Sequence, residues 1–305
     1  MNTPSNPGKR PALLAVFAHP DDESLAMGGT LARYAQAGVD VSLVCATRGE
    51  WGLISDPTIV TRENLGEVRE QELRAACRVL GITHLHFLDC PDSDVNHTDW
   101  PEVEAKIVSH IRELQPDVIV TFGPDGLYGH PDHIAVSTLT TAAFKSAGEA
   151  CQFTEQFAQG LGPHRASKLY YAQFPQNFAA ELIAALSVEH DAPQLWGFDA
   201  DMFGVPEELI TTTIDVADEV SKKIEALRCH RTQLEADNVF ALIDEHTARR
   251  FLSREYFRLA EPDTIGGVIE EDLFHMCDAQ STGVDVGWDK LPIGHEGPDV
   301  KLIKF

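Results

Sequence analysis

The stretch "ALLAVFAHPDDESLAMGG", residues 12–29, joins a strand pattern directly to a helix pattern. Residues 12–18 are uniformly apolar over the length of one strand, which is typical of a strand buried on both faces of a parallel sheet. Residues 24–37 have the composition and spacing of a helix, with Ser24 or Asp22 as the predicted N-cap. Between the two patterns lie a His, two Asp and a Glu, so a polar cluster follows the buried strand at once.

The same order of strand and helix patterns continues through the first half of the chain. Further strands are predicted at 39–47, 83–88 and 117–122, and helices at 63–80, 100–115 and 130–147. Apolar strands that alternate with helices predict an α/β fold. We expect a Rossmann-like, mainly parallel sheet with helices on both faces.

The second half of the chain is less regular. Strands are predicted at 166–174 and 208–216, and helices at 217–233 and 247–260. Residues 261–305 contain several Gly, Pro and Asp and little periodicity. We therefore expect one domain over residues 1–260, with a less regular C-terminal part, and an irregular tail over residues 261–305.

Polar residues follow each predicted strand of the first half. They lie at 19–23, 47–52, 89–94 and 123–133. Parallel α/β sheets bind their ligands at the carboxyl ends of the strands. The sequence therefore predicts that these four segments meet at one edge of the sheet and form the functional site there.

The composition argues against two classes of partner. The 305 residues contain 48 Asp and Glu against 24 Lys and Arg, a formal net charge of −24, whereas nucleic acids and anionic membranes bind basic surfaces. No apolar run approaches the roughly 18–20 residues of a membrane span. The six cysteines form no Cys-x-x-Cys pair, so free thiols in a reducing compartment are expected. The sequence predicts a cytoplasmic protein with no nucleic-acid or membrane partner.

Two His-Pro-Asp segments contain the candidate metal ligands. His19 and Asp22 are three positions apart, and His130 and His133 repeat that spacing. Either segment alone could be a helix cap beside a satisfied histidine, but two of them, each after a predicted strand, favour a site. Two imidazoles and one carboxylate, with a position open for water, are typical of a catalytic metal. Such donors suit Zn²⁺, and also Fe²⁺, Co²⁺, Ni²⁺ or Mn²⁺.

The segments "AHPDDE" (18–23) and "GHPDH" (129–133) together resemble the LmbE/PIG-L family of metal-dependent N-acetylglucosamine de-N-acetylases. The resemblance covers residues 11–235 and implies an LmbE-like fold. The family includes deacetylases of mycothiol and bacillithiol biosynthesis, mycothiol-conjugate amidases, the phosphatidylinositol-glycan deacetylase and diacetylchitobiose deacetylases. The paired motifs are specific for the family and only weakly specific for the substrate.

The resemblance assigns roles to the first motif and to the last histidine of the second. It implies that His19, Asp22 and His133 bind Zn²⁺. It also implies that Asp21 is the general base that takes a proton from the attacking water. Adjacent aspartates can divide these tasks, because a ligand must face the metal whereas a base must face the water.

Two other residues of the second motif, and the tyrosine just before it, complete the catalytic set that the resemblance implies. His130 resembles the family histidine that stabilises the oxyanion of the tetrahedral intermediate. Asp132 is the expected partner that orients His130. Tyr128 stands where the mycothiol deacetylases have a tyrosine that assists near the carbonyl.

Four residues outside the two motifs are predicted to bind substrate. Arg69 resembles a family arginine that grips the sugar, and an exposed helix arginine paired with a glutamate is the alternative. Asp92 stands where relatives have an aspartate that contacts sugar hydroxyls. Glu50 lies in "TRGEWG", where it could instead serve the turn. His230 could line the pocket or be a satisfied histidine at a helix end.

The resemblance implies a zinc hydrolase that removes the acetyl group from an N-acetylglucosaminyl small molecule, with a bacillithiol- or mycothiol-type precursor favoured. A deacetylase or amidase of another such conjugate, or of a chito-oligosaccharide, is the alternative. A non-haem Fe²⁺ oxygenase would share the ligand triad, and a sugar-binding module would share the pocket, but neither needs Asp21 and His130. The expected partner is a small molecule, and homo-oligomerisation is compatible with the sequence.

Overall fold

The computed structural model describes residues 10–196, 199–262 and 270–275. Within these ranges one sheet has the strand order β3-β2-β1-β4-β5-β7-β6. The strands are β1 Ala12–Phe17, β2 Asp40–Cys45, β3 His84–Phe87, β4 Val118–Phe122, β5 Lys168–Gln173, β6 Thr212–Asp215 and β7 Arg254–Glu261. The first five are parallel, and β7 runs antiparallel to both β5 and β6. The predicted mainly parallel α/β sheet is confirmed.

Helices cover both faces of this sheet, as predicted. They are α1 Asp22–Gln36, α2 Leu65–Leu80, α3 Trp100–Leu114, α4 Gly126–Gly129, α5 Pro131–Ala147, α6 Phe178–Leu186, α7 Val220–Cys229, α8 Val239–Leu242 and α9 Glu245–Leu252. Helices α1, α2 and α7 pack together in one layer, and α3 packs on α5 in the other. Strand β1 lies between the layers and every residue of it is buried. Among the described residues, no helix has both the length and the apolar character that a membrane crossing requires.

The strand order creates a crevice above β1 and β4. The chain proceeds from β1 to β2 and β3 on one side, and then returns to place β4 on the other side of β1. The segments that leave β1 and β4 therefore diverge, which is the topological switch point where open α/β sheets bind ligands. The two His-Pro-Asp segments leave these two strands, so they border the crevice.

The prediction of a helix over 247–260 is wrong in its second half. Helix α9 ends at Leu252, and Arg254–Glu261 forms β7, which pairs on both sides with β5 and β6. Helix α6 was not predicted at all. A strand that enters the sheet late in the chain depends on partners far away in sequence, so local periodicity did not identify it.

The start of α1 also differs from the prediction. Asp21, and not Ser24 or Asp22, occupies the N-cap position, and its side chain makes no capping hydrogen bond. The helix ends at Gln36, one residue before the predicted end, and Gly38 follows it with a positive φ of 86°. Most of the predicted tail, 261–305, lies outside the described residues, and Glu270 in its described part forms a bridge with Thr212.

Helix α1 is broken in its middle, and a buried ion pair fills the break. The backbone leaves helical geometry at Met27 (φ −153°). The N–H groups of residues 29 and 30 donate to the carboxylate of Glu255, at 2.9 and 2.6 Å. Lys223 donates to that carboxylate and to the carbonyl of Leu25. The pair thus supplies hydrogen bonds that a continuous helix would have made within itself.

Candidate metal centre and active-site cavity

An open cavity of about 440 Å³ lies in the crevice above β1 and β4. Seven of the predicted site residues line it: His19, Asp21, Asp22, Arg69, Asp92, Tyr128 and His130. His133 and Asp132 lie directly behind this wall and have no exposed surface. The polar segments therefore meet at one edge of the sheet, as predicted.

Two histidine nitrogens and the two oxygens of one carboxylate meet at the floor of the cavity. His19 Nδ1 lies 3.1 Å from His133 Nε2, His133 Nε2 lies 3.3 Å from Asp22 Oδ1, and His19 Nδ1 lies 3.6 Å from Asp22 Oδ2. Ligands at about 2.0–2.1 Å from a tetrahedral zinc ion lie ~3.3–3.4 Å from one another. The observed separations bracket that value, so the three residues fit a tetrahedral metal ion.

The hydrogen bonds behind the donors fix which ring nitrogens face the centre. His133 Nδ1 donates to the carbonyl of Gly126 at 3.1 Å, which leaves Nε2 without a proton. His19 Nε2 faces Asp92 Oδ1 at 3.1 Å and Asp132 Oδ2 at 3.3 Å, which leaves Nδ1 free in the neutral ring. Carboxylates and carbonyls commonly orient metal-binding histidines in this way. Two nitrogen lone pairs and one carboxylate therefore converge on a point where a cation could bind.

The close packing of histidines and carboxylates also shifts the pKa values of the donors. Burial disfavours charge on His19, but the carboxylates of Asp132, Asp22 and Asp92 outweigh it and raise the pKa of His19 well above its ordinary value. Burial also opposes ionisation of Asp22, and the two histidines His133 and His19 nevertheless hold its pKa far below the usual range. The buried negative charge that retains a proton here would equally retain a metal ion, so metal and proton compete for the site.

His130 presents a hydrogen-bond donor to the cavity. Its Nδ1 accepts the backbone N–H of Asp132 at 3.2 Å, so its proton is on Nε2. Burial, with the nearby His19, lowers the pKa of His130 and favours the neutral ring. The expected orientation of His130 by the Asp132 carboxylate needs correction, because that carboxylate contacts His19 and the N–H groups of Ser93 and Val95.

Asp21 is held beside the donors in an unusual backbone conformation. Its φ of 124° and ψ of −26° are rare for a residue with a side chain, and such strain persists where surrounding contacts enforce it. The Asp21 N–H donates to Glu23 Oε2 at 3.1 Å. Arg69 donates to Asp21 Oδ2 at 3.0 Å and to the carbonyl of Pro20 at 2.6 Å. Burial raises the pKa of Asp21 to about 6, although the charge of Arg69 opposes that rise.

Arg69 and Asp92 reach the cavity through contacts that also hold its walls. Arg69 is 3% exposed and donates to the carbonyl of Gly49 at 2.9 Å, so the alternative of an exposed helix arginine is wrong. Asp92 divides its carboxylate between His19 and the backbone N–H of Trp51, at 2.7 Å. Although burial opposes ionisation, these contacts lower the pKa of Asp92 to about 2.

Two predicted substrate-binding residues do not reach the cavity. Glu50 accepts the backbone N–H of Asp92 at 3.0 Å and lies behind it. His230 is 1% exposed, and its Nε2 lies 3.0 Å from Glu23 Oε1. Both residues therefore support the residues in front of them, which corrects the prediction that they touch the substrate.

Sequence reasoning did not name the nine other residues that line the cavity, among them Trp51, Trp196 and Gln233. Gln233 accepts from the backbone N–H of Leu53 at 3.1 Å and donates to its carbonyl at 3.0 Å. Trp51 lay inside the quoted "TRGEWG" segment, so its place after a strand was the available signal. Trp196 lies outside the elements predicted for the second half, and Gln233 is the last residue of the helix predicted over 217–233.

Comparison with known proteins assigns the family. The family model described as GlcNAc-PI de-N-acetylase (PIG-L) matches residues 14–144. A 1D-myo-inositol 2-acetamido-2-deoxy-α-D-glucopyranoside deacetylase of Catenulispora acidiphila is 36% identical over 86% of this chain and 96% of its own length.

Two solved structures share the fold at lower identity. The N,N'-diacetylchitobiose deacetylase of Pyrococcus horikoshii matches at a TM-score of 0.60 and 22% identity, over 81% of this chain and 83% of that one. The 4-carboxy-2-hydroxymuconate hydratase of Pseudomonas putida matches at 0.55 and 17% identity, over 85% and 99%. Because a hydratase shares the fold, activity must be argued from the site. From its sequence relatives and its two His-Pro-Asp segments, the chain belongs to the PIG-L family of de-N-acetylases.

Proposed function

We propose that this protein is a zinc-dependent hydrolase that removes the acetyl group from N-acetylglucosamine linked to inositol, the compound named for its Catenulispora relative. The observation that carries the proposal is the convergence of His19 Nδ1, His133 Nε2 and the Asp22 carboxylate within 3.1–3.6 Å, with a second carboxylate on the adjacent residue. Nitrogen and oxygen donors of this number suit Zn²⁺ at a catalytic site.

Asp21 acts as the general base in this proposal. The metal would polarise the acetyl carbonyl and lower the pKa of the attacking water. Asp21 lies in the cavity wall beside the three donors and takes the proton of that water. Burial raises the pKa of Asp21, which favours its taking up a proton. Once protonated, Asp21 returns the proton to the departing amine nitrogen.

His130 and Tyr128 face the reacting carbonyl from the opposite segment. The Nε2–H of His130 is directed by the bond at its Nδ1, so it can donate to the oxyanion that forms on attack. The Tyr128 ring packs against His133 with centroids 5.0 Å apart, and burial raises the pKa of its phenol well above its ordinary value. Tyr128 therefore remains a protonated donor at the cavity wall.

The proposal is tested by incubating zinc-loaded protein with the inositol conjugate of N-acetylglucosamine and measuring acetate and free amine. Asp21→Asn should retain zinc and lose roughly 10²–10⁴-fold in turnover. Asp22→Asn should lose zinc, as measured by elemental analysis after dialysis. Asp218→Asn, on the exposed surface, is the matched control. Zinc loss in Asp21→Asn with zinc retained in Asp22→Asn would contradict the assigned roles.

Two other outcomes would favour the remaining function classes. Turnover that requires O₂ would indicate an Fe²⁺ oxygenase, and binding without acetate release across a panel of conjugates would indicate a sugar-binding module. A cytoplasmic location and a homo-oligomer remain predictions, which cell fractionation and light scattering would test.

A further inference from the structure

The mouth of the active-site cavity has an aromatic wall that the proposed chemistry does not use. Trp51 is 64% exposed and Leu53 is 40% exposed, and both line the cavity together with Trp196. The donors and Asp21 lie at the floor, where the acetamido group must enter. The indole rings therefore lie where the part of the substrate beyond the acetylated sugar would extend.

The segment that presents Trp51 is firmly held without any ligand. Arg69 donates to the carbonyl of Gly49 at one end of the segment. Arg62 donates to the carbonyls of residues 50 and 52, at 2.8 and 3.0 Å, and its guanidinium lies 5.6 Å from the Trp51 ring. The Trp51 N–H donates to Asp92, the same carboxylate that faces His19. The backbone that carries the exposed indole is therefore preorganised, so binding to this wall does not have to order the segment.

The other indole at the mouth is equally constrained. Trp196 Nε1 donates to the carbonyl of Gln233 at 2.8 Å. Its ring lies against Phe240, with centroids 5.5 Å apart. Gln233 also brackets the backbone of Leu53 through its side-chain amide. One residue thus connects the indole of Trp196 to the backbone of the segment that carries Trp51.

We propose that Trp51 and Trp196 form a subsite for the aglycone, and that its ligand is a second saturated, hydroxylated six-membered ring. The C–H face of such a ring carries partial positive charge and packs on the negative face of an indole, while its hydroxyls stay in water. The open mouth offers that combination of an apolar face and free solvent. The inference rests on the proposed function, because it assigns the rest of the substrate of that same site.

The test compares one-ring and two-ring substrates. Trp51→Ala should lower kcat/KM about tenfold for the inositol conjugate, mainly through KM, and leave kcat/KM for N-acetylglucosamine unchanged. Trp51→Phe, which keeps an aromatic face, should recover most of the loss. Val188→Ala removes an 83% exposed apolar side chain that does not line this cavity and serves as the matched control.

Each other outcome has a definite meaning. Equal losses on both substrates, or no loss on either, would overturn the subsite. Stronger inhibition by a long-chain alkyl N-acetylglucosaminide than by the two-ring compound would show that the aromatic wall binds a lipid chain. That result would overturn the proposal of a hydroxylated ring. If wild-type protein releases acetate from neither substrate, the proposed function fails. The subsite is then judged by tryptophan fluorescence during titration with the two-ring compound, and a signal unchanged in Trp51→Ala overturns it.

Discussion

Removing one member of the buried Lys223–Glu255 pair should destabilise the protein more than removing both. Each side chain is 2% exposed, so either single substitution leaves an uncompensated charge inside the protein. We expect Lys223→Met and Glu255→Gln each to lower the free energy of unfolding by about 3–5 kcal/mol.

The double variant has no buried charge. Two defects remain, and each is already present in one of the single variants. One of the two N–H groups at residues 29 and 30 loses its acceptor, because the introduced amide has one carbonyl oxygen in place of two carboxylate oxygens, and the carbonyl of Leu25 loses the Lys223 donor. An unsatisfied buried donor costs about 1–3 kcal/mol. The double substitution should therefore lower the free energy of unfolding by less than the two single substitutions added together. The difference, ~3 kcal/mol or more, is the coupling energy of the pair.

Urea unfolding of the four proteins at pH 7, with the m-value checked for each, measures this coupling. Arg249 and Glu245 form an exposed pair, 54% and 76% exposed, for a parallel cycle in which each change should cost less than about 1 kcal/mol. Additive costs in the Lys223–Glu255 cycle would refute the reasoning. A double variant that folds where a single variant does not would support it.

Three further predictions concern the packing, the pH dependence and the site. Arg112→Lys should lower the free energy of unfolding by at least about 2 kcal/mol, because the buried guanidinium donates to four carbonyls and one amide oxygen. Urea unfolding measures this loss, and the exposed Arg165→Lys should change the free energy of unfolding little. Burial lowers the pKa of His110 to about 4, below its ordinary 6.5, so the unfolded chain binds the proton more readily and stability is lost as pH falls from 6.5 towards 4. His110→Gln should reduce the fall in the free energy of unfolding between pH 6.5 and pH 4. The exposed His84→Gln should leave that pH dependence unchanged. Glu23→Gln should lower kcat roughly 10–100-fold with zinc retained and KM nearly constant, because its carboxylate holds the backbone of Asp21, the proposed general base. A loss of zinc instead would indicate that Glu23 supports the metal ligands.

The local sequence determined the parts of this protein that depend on neighbouring residues. The uniformly apolar run at 12–18 predicted β1, since a strand covered on both faces needs no alternation. Shorter, mainly apolar runs between helix patterns predicted the next three strands. The fixed spacing within "HPDDE" and "YGHPDH" predicted the candidate ligands, and their place after β1 and β4 predicted that they meet. These conclusions needed only the chain order and the general behaviour of parallel sheets.

The tertiary structure decided what depends on residues far apart in the chain. Strand β7 exists because β5 and β6 pair with it from both sides, against a helix-like local pattern. The carboxylate of Asp132 faces His19, 113 residues away, and not His130 beside it. Gln233 reaches Leu53 across 180 residues to fix the aromatic wall. Hydrogen bonds and packing act through space, so a side chain's partner is chosen by the closed fold and not by its distance along the sequence.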